Sequence, residues 1–211
     1  MKPYRRARTE EQIADRCDGI IAAAADIYAC EGYDAVTFQA IASQTPFTRP
    51  SIYRYFQTRE EVMLELLRRD YAGWYADLQR VFVADTMASR EEFCRLLAGT
   101  ISSHQRMLAL ISINLRAIET ESRPERLQGF KRLCRDSMAY LLSRVAVYFP
   151  RSTAQARDDF SQALMVMFFG LYPNTHLTSQ QIAAMDAVGM SHKRDFDGLC
   201  YRSLLLITSE F

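Results

Sequence analysis

An all-α chain is predicted by three observations. Hydrophobic residues fill 49% of the 211 positions while Gly and Pro number only 8 and 6, the composition of a compact, mostly helical globule long enough for one or two domains. Apolar residues recur at three- and four-residue spacing through successive stretches of the chain. Capping residues and breakers, among them Thr37, Thr178, Gly32, Pro46 and Pro150, punctuate those runs.

The first nine residues carry Lys2, Arg5, Arg6 and Arg8 and no acid before Glu10. This arm, Met1 to Thr9, reads either as a solvated tail or as a basic extension that touches phosphates or an adjacent minor groove. Helix one is expected from Glu10 to Cys30, with Ile13, Cys17, Ile20, Ile21, Ala24, Ile27 and Tyr28 on one apolar face and Gly32 as its stop. Thr37 is a good N-cap for a second helix carrying Phe38, Ile41 and Ala42. That helix ends near Gln44, because Pro46 breaks the run and pushes the residue before it out of the α region. Thr48 then caps a third helix with Pro50 in its first turn, where a missing N–H costs little. Two short helices joined by a tight turn, the second presenting Thr48, Arg49, Ser51, Tyr53 and Arg54 and burying Ile52 and Phe56, is the layout of a helix-turn-helix that reads DNA. Helix one packs on it over a core of Phe38, Ile41, Phe47, Ile52 and Phe56.

With GYDAVT before this stretch, IYRYF at its end and TREEV after it, residues 10 to 65 resemble the N-terminal domain of the TetR family of bacterial transcriptional regulators, the TetR/AcrR type. One position departs from the family's pattern: Pro46 stands where a glycine is usual. Proline holds φ near about −65° and cannot supply a positive φ, so the turn must be built differently here. The resemblance implies a homodimeric, ligand-responsive regulator, most simply a repressor on a palindromic operator. The alternative is a helical dimer without small-molecule response that binds DNA constitutively or acts through a protein partner.

Each recognition-helix side chain carries two readings. Arg49 can donate two hydrogen bonds to a guanine edge or one to a phosphate. Thr48 and Ser51 suit phosphates or base edges, and Thr48 can equally be a cap alone. Tyr53 and Arg54 match family positions that touch the backbone, although Tyr53 also reads as packing; Tyr55 reads as structural. Thr37 joins this surface at its helix start, and Arg59 resembles the family's further phosphate clamp.

Thr58 with Glu61 forms a capping box opening helix four, whose apolar side runs from Val62 through Trp74 and Leu78 to Val81. Residues 1–57 are thus expected as arm and DNA-binding domain, and 58–211 as a regulatory and dimerisation domain with 58–84 as connector. Asp85 to Ala88 reads as a loop and Ser89 with Glu92 as another capping box. Helix five follows through Ile101, helix six from Met107 to Leu115, and a polar connection from Glu119 to Arg123. Pro124 opens a long helix to about Phe149; the next runs from Thr153 through the apolar ALMVMFFGLY to just before Pro173. A short helix capped by Thr178 and Gln181 precedes a last one, from Ser191 to about Ser209.

So much Leu, Met and Phe in the second region suggests a dimer interface and a ligand cavity. By resemblance, Phe160, Leu164, Met167, Phe168, Leu199, Leu204 and Leu205 are interface candidates, with intrachain core as their other reading. Trp74, Met107, Ile111, Met138, Met165, Phe169 and Tyr172 are candidates to line a pocket, again against plain core. His104, Asn114, Arg116, Glu119 and His176, polar among apolar neighbours, are sharper probes of such a site, each reading equally as a surface or satisfied structural group. His192 and Asp195, three apart, read as a helix-surface pair.

Enzymatic function is not indicated: the chain has no GxSxG elbow, P-loop, HExxH or glycine-rich dinucleotide fingerprint, and no cofactor or metal is implied. A net charge of +1 does not bear on partners, since a basic surface can be offset elsewhere. Five scattered cysteines without CxxC spacing read as reduced, mostly core thiols of a cytoplasmic protein. No apolar run suggests secretion or a membrane span. The expected partners are double-stranded DNA, a second copy of the chain and a small-molecule effector.

Overall fold

The computed structural model describes residues 10–86 and 89–211. The basic arm and positions 87 and 88 of the expected loop lie outside the described residues. Among the described residues every regular element is helical. They form two compact units, residues 10–66 with 116–128, and residues 67–115 with 129–211.

In the first unit, α1 (Glu10–Glu31) ends at Gly32, whose φ of 85° favours glycine and whose N–H bonds the Tyr28 carbonyl at 3.0 Å. Ile20, Ile21, Ala24 and Ile27 are buried, but Ile13 is 43% exposed and Cys17 half-buried. The covered face therefore starts later than the periodicity predicts. It begins near Gly19, where a Cβ would lie 3.1 Å from the Phe47 ring, so the turn that precedes the third helix approaches at a point with no side chain. The helix α2 (Phe38–Ser43) is capped by the Thr37 hydroxyl, which accepts from the Ala40 N–H at 3.1 Å. The single turn α3 (Arg49–Ile52) follows. Thr48 holds its N-cap position with an extended backbone, but its side chain does not cap; instead the Ser51 hydroxyl donates to the Thr48 carbonyl at 2.7 Å.

The turn with Pro46 solves the missing-glycine problem without any positive φ. The Thr45 hydroxyl donates to the Ile41 carbonyl at 2.9 Å, closing the end of α2, and accepts from the Phe47 N–H at 3.4 Å. A side chain thus does the capping that a left-handed glycine would permit.

Helix α4 (Arg59–Val81) belongs to the first unit to Leu66 and to the second from Leu67. In the second unit, α5 (Arg90–Ser102) is capped by Ser89, and α6 (Gln105–Ala109) runs through a π turn, Leu110–Asn114, directly into α7 (Leu115–Thr120). Then come α8 (Pro124–Tyr148), α9 (Ala154–Thr175), α10 (Ser179–Ala187) and α11 (Phe196–Ile207). Two boundaries differ from expectation. Pro173 lies inside the last turn of α9, where side chains take over carbonyls: Asn174 donates to Gly170 at 2.8 Å and Thr175 to Leu171 at 2.9 Å. The last helix starts at Phe196, not Ser191, because Asp195 is its N-cap, accepting from the Gly198 N–H at 2.7 Å. His192 consequently pairs with Asp186 at 2.9 Å and not with Asp195.

Trp74 is fully buried, its ring edge-on to Tyr71 and Phe168, and its indole N–H donates to the Thr100 hydroxyl at 3.2 Å. Trp74→Phe removes that donor and leaves a small void. We expect it to lower unfolding free energy by about 1–2 kcal/mol, read as a shift of the urea midpoint at constant slope.

The thiols divide by site. Cys94 and Cys200 are buried, Cys17 and Cys134 half-buried and Cys30 exposed, so Cys30 departs from the core reading. Burial pushes the Cys200 thiol up to about 12 and raises Cys94, keeping both protonated and unreactive at neutral pH.

Candidate nucleic-acid interface

Ile52 and Phe56 are fully buried while Arg49, Arg54 and Tyr53 point outward from the same short segment. Phe38, at 8% exposure, and Ile41 complete the small core beneath them. An open hollow of about 520 Å³ forms at this surface, lined by Thr37, Gln39, Arg49, Tyr53, Thr58 and Arg59. Gln39, one residue into α2, had no distinguishing signal in the sequence. Tyr53 keeps both of its expected roles open: its ring meets Phe38 edge-on at 4.6 Å, yet 49% of the residue is exposed. Ser51 is half-buried and spends its hydroxyl on the Thr48 carbonyl.

Arg59 is already engaged. Its guanidinium lies 4.7 Å over the Tyr33 ring, pairs with Glu60 at 2.9 Å and stands 3.7 Å from Asp34. Burial, with the nearby Glu60 charge, raises the Tyr33 hydroxyl to about 12, so the ring under the cation is neutral at ordinary pH.

The capping box at α4 differs from the reciprocal form. Thr58 accepts from the Glu61 N–H at 3.1 Å, but the Glu61 carboxylate accepts from the Gln57 N–H, at 2.8 Å, one residue earlier than expected. The shift follows from a second claim on that carboxylate. Glu61 is fully buried, and Arg123 binds it with Nε at 2.5 Å and Nη2 at 2.9 Å. Arg126 adds an ion pair at 3.4 Å. Sequence reading missed this cluster because its arginines stand at the α7–α8 corner, far along the chain. Burial pushes the Glu61 pKa up, but the hydrogen bonds from the Arg123 side chain and the Gln57 amide outweigh it, and the carboxyl ends below its ordinary 4.5. A depressed native pKa stabilises the fold above the unfolded value and loses that contribution as pH falls through the folded one. Glu61→Gln should therefore cost about 1.5–3 kcal/mol at pH 7 and progressively less below about pH 4.5, measured by urea unfolding across pH.

In the second unit the proposed pocket residues scatter. Trp74, Met107 and Ile111 are buried core; Met138, Met165, Tyr172, His104 and Asn114 are half-buried; and Phe169, at 44% exposure, lies on an outer face. His104 is held by Asp77 at 2.9 Å. The interface candidates divide as well. Phe160, Leu164, Phe168 and Leu204 are fully covered within one chain, in keeping with the core side of their two readings. Met167 and Leu199 instead line an open apolar groove of about 720 Å³ between α9 and α11, together with Val166, Gly170, Ser203 and Leu206. Leu205 is half-buried, its carbonyl accepting from Arg90 at 3.5 Å.

A helix-turn-helix unit followed by a larger helical domain defines a class of DNA-binding transcriptional regulators. Residues 20–66 match the family described as bacterial regulatory proteins, tetR family, and residues 68–208 match the tetracyclin repressor-like C-terminal domain. The chain belongs to the TetR family, whose members are transcription factors and not enzymes. The HTH-type transcriptional repressor NicS of Pseudomonas putida is 29% identical, over 74% of this chain and 85% of that protein. The fold is also that of a TetR/AcrR-family regulator from Thermobifida fusca, with a TM-score of 0.58 at 18% identity over 90% of this chain and 97% of the other. A Mesorhizobium loti protein assigned to the TetR family superposes with a TM-score of 0.54 at 16% identity, over 96% of each chain. Among the described residues no helix is long and apolar enough to cross a membrane.

Proposed function

We propose that the chain is a cytoplasmic transcriptional repressor that binds a two-fold operator as a homodimer and releases it on binding a small molecule. The observation that carries the DNA-binding part is the outward set Arg49, Tyr53 and Arg54 on a segment that buries Ile52 and Phe56 on its other side. In this reading Arg49 addresses a base edge, Tyr53 and Arg54 address phosphates, and Thr37, Thr48, Ser51 and Arg59 border the contact. Arg59 must exchange part of its pairing with Glu60 for a phosphate. Repression is supported by the similarity to a repressor of the same family. Dimerisation through α9 and α11 is supported by the apolar groove and by the exposure of Val166 and Leu206, at 72% and 74%.

The reading without a small molecule has one observation in its favour. Trp74, the largest of the expected pocket residues, is fully enclosed by its neighbours with its N–H satisfied. Footprinting on the DNA upstream of its own gene, across salt concentrations, tests the regulator reading. A discrete protected site, with log affinity falling by about 0.9 per phosphate contacted for each unit of log salt, is expected. Uniform weak protection without a site would refute it.

A further inference from the structure

We infer that Arg126, seconded by Arg123, is a positioning residue for DNA binding: it holds the end of the recognition turn at the Tyr55 carbonyl and the Phe56 ring, beside the buried carboxylate of Glu61. The inference deepens the DNA-binding reading and rests on it. The helix α3 is a single turn of four residues, and one turn cannot hold itself, because nucleating a helix fixes several residues for one hydrogen bond. Its orientation must come from outside, and the α7–α8 corner supplies much of it.

Arg126 Nη2 donates to the Tyr55 carbonyl at 2.5 Å, and its guanidinium lies 4.7 Å over the Phe56 ring. Its Nε, buried and without an aligned hydrogen bond, stands 3.4 Å from Glu61 Oε2. Glu61 in turn accepts from the Gln57 N–H, and the Thr58 hydroxyl donates to the Glu121 carbonyl at 2.9 Å. Tyr55, Phe56, Gln57 and Thr58 are thus each gripped by this cluster, directly after the exposed Tyr53 and Arg54. Arg123 keeps the carboxylate in place from the other side, through both side-chain nitrogens and its own N–H at 3.3 Å. One planar fork serves a carbonyl, a ring and a carboxylate at once, which a lysine ammonium cannot reproduce.

The test uses the full chain and the operator fragment found by footprinting, titrated by fluorescence anisotropy at several salt concentrations well below the melting temperature. Arg126→Ala is expected to weaken binding about tenfold or more with an unchanged slope of log affinity against log salt, since no phosphate contact is lost. Arg126→Lys should recover only part of the loss. A role confined to stability would leave the folded protein binding as wild type. An affinity within about twofold of wild type overturns the inference, and so does a slope smaller by about one per copy, which would make Arg126 a phosphate ligand. Far-UV circular dichroism checks folding, and if Arg126→Ala does not fold, Arg123→Gln is judged by the same criteria. Arg49→Ala run alongside separates the two levels. If it also binds as wild type, the DNA-binding reading has failed; if it alone loses binding, only the positioning inference has.

Discussion

Replacing Arg49 and Tyr53 together by alanine is expected to lower operator affinity about a thousandfold while leaving the fold intact. Both residues are exposed, so neither truncation opens the core formed by Ile41, Ile52 and Phe56, and the tyrosine gives up only its edge contact with the Phe38 ring. An arginine bidentate on guanine contributes about 1–3 kcal/mol of discrimination, and a homodimer loses the contact twice. The tyrosine adds a phosphate contact of smaller size, also twice. A total near 4 kcal/mol corresponds to the thousandfold loss. The single variants assign the roles. If Arg49 reads a base, Arg49→Ala relaxes preference at one position of each half-site; if it meets a phosphate, the salt slope falls by about one per copy and preference is kept. Equal binding by the double mutant and the wild type, at matched salt, would remove this surface from the DNA contact altogether.

What the sequence made legible was local. The cap at Thr37, the stop at Gly32 and the burial of Ile52 and Phe56 follow from short-range rules of backbone and periodicity, and the structure contains each of them. The Thr45 hydroxyl that rebuilds the turn around Pro46 was missed although it lies next to the proline, because a threonine there has no distinctive pattern. Non-local features fared worse. That Glu61 would give its carboxylate to Arg123 and Arg126 depends on a chain return that no spacing announces. The same limit applies to α9 and α11, where periodicity shows that Leu164, Met167 and Phe168 share a helix but not which of them face inward. An apolar residue satisfies a core and an interface by the same physics, so only neighbours across the fold can separate Leu164, at 0% exposure, from Val166, at 72%.

That separation makes the interface testable. Val166→Asp combined with Leu206→Asp is expected to convert the protein to a monomer of 24.3 kDa by sedimentation and to abolish discrete operator binding. Both residues line the α9–α11 groove and are mostly exposed in the single chain, so an aspartate at either place remains hydrated in the monomer. In a two-fold interface each appears twice, and every desolvated, unpaired carboxylate costs several kcal/mol. A dimer dissociation constant raised by at least about a thousandfold follows. DNA affinity falls with it, because one recognition helix covers a single half-site and the second head contributes through its tether to the first. Leu204→Asp is the instructive contrast. Leu204 has no exposed surface within the chain, so a charge there should unfold the helical unit itself, seen as lost far-UV ellipticity, whereas the groove variant keeps its helix content and loses only its partner. A groove variant that remained dimeric would move the interface away from α9 and α11.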